Sequence, residues 1–169
     1  MTETERLYRQ IAQALTELTE GYTELLKGSQ DLQQLIVKND AQQIGELVKE
    51  QREKAAELKH VEERRVGVVS ELAHLMNWEE DGLTIIKLAD LAGSPWDTLL
   101  RERGKSLTEV IEKQQMLNAQ NQELLELHFE YMNFVIDNFL REPQVNNIYG
   151  STGQLVGEED LNGHLDNEV

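Results

Sequence analysis

The chain of 169 residues suits one compact domain and is long enough to bury a core. It carries 32 Asp and Glu against 16 Lys and Arg, a formal charge of −16. That charge repels nucleic-acid phosphate and anionic lipid alike, and no apolar run approaches the ~20 residues of a membrane span, so nucleic-acid binding and direct membrane insertion are excluded.

The first element is a helix with a coiled-coil-like stripe, in which Ile11, Leu18, Leu25 and Leu32 recur every seven residues. Leu15, Tyr22 and Ile36 run beside them, and Thr2 with Glu5 forms a capping box at the start. Gly21 and Gly28 occupy companion core positions, where the missing side chain admits close approach of another backbone. Asn39 and Asp40 end the stripe, and Asp40 with Gln43 caps a second helix from Ala41 to about Met76, roughly 55 Å long. Its expected core positions are Ile44, Val48, Ala55, Leu58, Val61, Val68, Val69, Leu72 and Leu75, with Gln51 and Arg65 interrupting the seam. A loop from Asn77 to Gly82 precedes a short amphipathic helix, Leu83 to Ala92. Ser94 is the expected cap of the third long helix, with Pro95 at its first position and an end near Arg141 before Pro143. Gly104 offers an alternative break. Leu107, Gln114, Asn121, His128 and Val135 form one heptad column of this helix.

The expected fold is therefore all-α: three long antiparallel helices in a coiled-coil-like bundle over residues 1–141, with one short helix in the second connection. Residues 142–169 hold six acids, no Lys or Arg, and much Gly and Asn, which predicts a flexible acidic C-terminal tail.

Catalytic chemistry finds little support. Glu57/His60 and Glu71/His74 have the Glu-x-x-His spacing of di-iron bundles, but both pairs lie on one helix about 21 Å apart instead of on facing helices. Absence of cysteine removes disulfides, thiolate nucleophiles and cysteine zinc sites. Gly150-Ser151-Thr152-Gly153 lacks the lysine of a phosphate loop, and no serine sits in a nucleophile elbow. The expectation is no enzyme, no metal and no cofactor. The opening Met-Thr-Glu-Thr-Glu lacks the basic and apolar regions of a signal peptide, so the expected location is the cytoplasm.

The segment from Leu124 to Leu140 needs a different explanation. Eleven of its 17 residues are apolar, and they cover an arc of roughly 220°, against about 100° or a little more for a surface helix. One reading is a helix sandwiched at the centre of the bundle. The other is a groove for a partner's amphipathic helix, with Leu124, Leu125, Phe129, Met132 and Phe139 as anchors. Homo-oligomerisation would use the same surface.

Three stretches carry a family resemblance: Glu50-Gln51-Arg52-Glu53-Lys54, the Asn-rich Asn118 to Glu126, and Ile148-Tyr149-Gly150-Ser151-Thr152-Gly153-Gln154. The last is similar to a Tyr-Gly-x-x-Gly element that follows the final helix in the FlgN family of flagellar export chaperones, and the chain resembles that family over nearly its whole length. The resemblance implies a non-catalytic cytoplasmic chaperone for the hook-associated proteins of the hook–filament junction, FlgK and FlgL. It would hold their C-terminal helical segments and deliver them to the cytoplasmic domain of the export gate protein FlhA. It also implies gate docking through Tyr149, flanked by Ile148 and Gly150. A self-associating coiled-coil scaffold or adaptor remains the alternative.

Overall fold

The computed structural model describes residues 2–79 and 83–137. Among them the chain is all-α, with four helices and no strand. The chain divides into two units, Met1–His128 and Phe129–Val169. The boundary expected at 141/142 and the tail beyond it lie outside the described residues.

Side-chain caps set the helix ends. The Thr2 hydroxyl accepts the Glu5 backbone N–H at 3.2 Å, and the Glu5 carboxylate accepts the Thr2 N–H at 2.7 Å, opening α1 (Glu3–Lys38) with the expected capping box. That backbone donor holds the Glu5 carboxyl below the usual carboxylate range. Asn39 closes α1 in the left-handed conformation at φ 58°. Asp40 then accepts the Gln43 N–H at 3.1 Å and starts α2 (Ala41–Met76), which Asn77 closes at φ 55°. Thr84 caps the short α3 (Ile85–Leu91) by accepting the Lys87 N–H. The last helix, α4, is described over Trp96–Val135. The Leu99 N–H donates to the Pro95 carbonyl, so Pro95 holds the cap position and Ser94 does not. The alternative break at Gly104 is not used; α4 passes through it unbroken.

Within the first unit α1 and α2 run antiparallel, linked by Arg6–Glu71, Arg64–Glu17 and Lys54–Glu24. These exposed pairs contribute little stability singly, but their order along the chain fixes the direction. At Gly21 and Gly28 the close neighbour is a side chain, where a backbone was expected. A Cβ at Gly21 would collide with the Leu58 side chain, and one at Gly28 would stand 2.5 Å from Gln51 Nε2. The direction of α4 follows that of α1: Arg103 donates to the Ala12 carbonyl at 2.9 Å, and further along Asn121 donates to the Ser29 carbonyl at 2.7 Å.

The apolar core gathers at one end. Leu7, Ile11 and Leu15 of α1 meet Leu72 of α2, Leu88 of α3 and Leu100 of α4, all fully buried. Tyr8 stacks on Trp96 with ring centroids 5.8 Å apart. A smaller cluster of Leu18, Leu25 and Leu58 lies beyond it. Two expected core positions of α2 are exposed instead, Ala55 and Leu75. The column that stays inward is 44, 51, 58, 65 and 72, its polar members included: the Arg65 side chain lies mostly buried, forked onto Glu62 at 2.6 Å.

Candidate functional site

Along α4 the buried positions change character. Leu100 and Val110 are apolar, whereas the next two, Gln114 and Asn121, are amides exposed by only 5% and 3%. The fully buried Ser29 of α1 organises them. Its hydroxyl accepts from Gln114 Nε2 at 2.8 Å and donates to Asn118 Oδ1 at 2.9 Å, while its carbonyl takes the Asn121 amide. Three amide atoms, Gln51 Nε2, Gln114 Oε1 and Asn121 Oδ1, are buried without a hydrogen-bond partner among the described residues. A polar layer thus replaces the apolar core at this level. Gln114 and Asn121 stand out in the heptad column. Ser29 has the same signal, since it falls seven residues after Tyr22 and seven before Ile36.

Past this layer α4 turns its apolar residues outward. Leu124, Leu125 and His128, at the end of the first unit, are half-buried, and Leu127 is exposed. In the second unit the described residues 129–137 expose Phe129 by 67%, Tyr131 by 63% and Phe134 by 57%, with Met132 and Ile136 also exposed. A helix sandwiched between neighbours would bury both of its sides. Here Phe129, Met132 and Ile136 fall on one side at helical spacing, Tyr131 and Phe134 on the other, and both are open to solvent. Exposed apolar side chains are thus concentrated in the nine described residues 129–137, and contiguous patches of this kind are a general hallmark of interaction surfaces. Phe139, Ile148, Tyr149 and Gly150 lie outside the described residues.

The chemistry available to this segment is binding. It offers aromatic and thioether side chains. From residue 114 to 137 there are four carboxylates and no Lys or Arg. Elsewhere Glu57 and Glu71 face Lys54 and Arg6, and His60 lies 3.3 Å from Glu63 on open surface. No group of three metal-ligating side chains occurs among the described residues, and no helix among them is long and apolar enough to cross a membrane.

Comparison with curated proteins and with solved structures found no match. A family model does match, that of the FlgN protein, over residues 1–157. Nearly the whole chain is covered, including the four helices and the Tyr149 element, and the chain belongs to the FlgN family of flagellar export chaperones.

Proposed function

We propose that this chaperone binds the hook–filament junction proteins FlgK and FlgL in the cytoplasm and delivers them to the FlhA gate, without catalysis or cofactor. The carrying observation is the exposure of Phe129, Met132 and their neighbours at the end of α4 in a chain of this family. Leu124, Leu125, Phe129, Met132 and Phe139 are the proposed client contacts, taking an amphipathic helix by its apolar face. The acid-only stretch around them favours clients with Lys or Arg beside that face. Ile148, Tyr149 and Gly150 are the proposed gate contact. A transient handover needs a second, weak site that does not compete with the client, and a tyrosine supplies an apolar ring with a hydrogen-bonding tip.

Two variants separate these roles in one calorimetric experiment. Phe129→Ala, with unchanged helicity, should lose more than about 1 kcal/mol of affinity for a C-terminal junction-protein segment and keep its affinity for the gate domain. Tyr149→Ala should do the reverse and reduce secretion. Equal losses toward both partners would end the two-site reading, and a stable client-free oligomer dissolved by Phe129→Ala would favour a self-associating scaffold.

A further inference from the structure

A second apolar surface lies in the first unit, remote in sequence from the proposed client contacts. One wall is Ile85 and Ile86 at the start of α3. The other is Leu107, Thr108 and Ile111 of α4, and buried Leu15 of α1 forms the floor. The groove encloses about 660 Å³, within the ~300–1,000 Å³ range of ligand sites. It is built in advance of any occupant. Leu88 and Ala89 anchor α3 in the core, and α3 presses Ile85 against α4 where Gly104 carries no side chain; a Cβ there would stand 2.8 Å from Ile85 Cγ2. Ile86, an isoleucine on a heavily charged chain, is 63% exposed at the rim.

Two cations line this groove, Arg101 and Lys105, against one carboxylate, Glu109. Arg101 reaches Asp90, and Lys105 stands 3.9 Å from Glu109 with both side chains mostly in solvent. Such exposed pairs are worth little and exchange readily for a better partner. Among the side chains lining this apolar trough the cations outnumber the carboxylates two to one, a pattern that selects an occupant with apolar and acidic side chains. Three alternatives fit less well. A second copy brings a further −16 against the first. An anionic membrane meets the same repulsion. An added β-strand needs an open sheet edge, and the described residues hold no strand.

We propose that the α3–α4 groove docks an acid-flanked amphipathic helix of a partner protein. About two turns of it would lie along residues 104–111, with apolar side chains between Ile86 and Ile111 and carboxylates beside Arg101 and Lys105. This site goes beyond the client and gate contacts proposed above and uses none of their residues.

The test uses full-length protein labelled at isoleucine methyls and two synthetic helices of about four turns, alike in leucine pattern, one flanked by Glu and its twin by Lys. The Glu peptide should shift Ile85, Ile86 and Ile111 while leaving Ile44 on α2 unmoved, and should bind about tenfold tighter than the twin. Ile86→Glu, at an exposed position that leaves the fold intact by circular dichroism, should abolish those shifts. Lys105→Glu should erase the preference between twins. Equal binding of the twins, shifts confined to other isoleucines, or no shift at millimolar peptide would overturn the proposal. So would a dimer in sedimentation that Ile86→Glu dissociates, since the occupant would then be a second copy.

Discussion

Leu72→Ala should cost about 3 kcal/mol of folding stability, within the range for emptying a fully buried leucine site. Leu72 is the inward residue of α2 at the level where all four helices meet, among Leu7, Ile11, Leu15, Leu88 and Leu100. The penalty combines the lost transfer energy of the side chain with the cavity left between helices that are each fixed elsewhere. A typical domain is stable by only about 5–15 kcal/mol, so the loss is a large fraction of the whole. Leu75→Ala, one turn later on the exposed side of the same helix, should stay within about 0.5 kcal/mol. Urea unfolding of both variants checks the contrast, and similar midpoints would mean that the core is not where the buried residues place it.

Gly21→Leu should be nearly as damaging, by about 2–3 kcal/mol, although it puts a better helix former into a helix. Propensity alone favours the change by roughly 1 kcal/mol. Sterics decide otherwise: even a Cβ at Gly21 collides with Leu58, which fills the second apolar cluster with Leu18 and Leu25. A leucine drives α1 and α2 apart or forces Leu58 off its rotamer. Leu58→Ala should also destabilise, by leaving a cavity. Combined, the two substitutions should be milder than the sum of the single losses, because the new leucine occupies the volume that Leu58 vacates. Strict additivity in thermal unfolding would show that the two positions do not touch.

The helices and most of their ends were legible in the sequence because local chemistry sets them. Thr2 with Glu5, Asn39 with Asp40, and Asn77 mark boundaries that the structure keeps. Legibility fell where residue type and column position disagree. Ala55 and Leu75 look like core by type, yet both stand outside the seven-residue column 44, 51, 58, 65 and 72 that faces inward along α2. The inward column of α2 holds Gln51 and Arg65 instead, and column membership prevailed over polarity. At Gly104 the sequence shows a breaker, while the structure shows a contact, since Ile85 occupies the space of the missing side chain. That contact joins residues 19 positions apart, and no local pattern announces it. The apolar excess of 124–140 was visible in composition alone, whereas the exposure of Phe129, Tyr131, Met132, Phe134 and Ile136, and the pairing of Gln114 and Asn121 with Ser29, depend on what lies across the helix and not on local pattern.

The Ser29 layer also settles which of several similar alignments α1 and α4 adopt. Apolar columns repeating every seven residues can slide past one another by a heptad, about 10 Å, and still bury leucine against leucine. Directional bonds cannot slide in this way. A shift of seven residues would set Gln114 and Asn121 opposite Tyr22 or Ile36, each amide losing its partner at a cost of about 1–3 kcal/mol. The alignment seen here satisfies Ser29 fully and leaves only single amide atoms unbonded. The layer gives up some stability and in exchange allows one register, which holds α4 at a fixed height along α1.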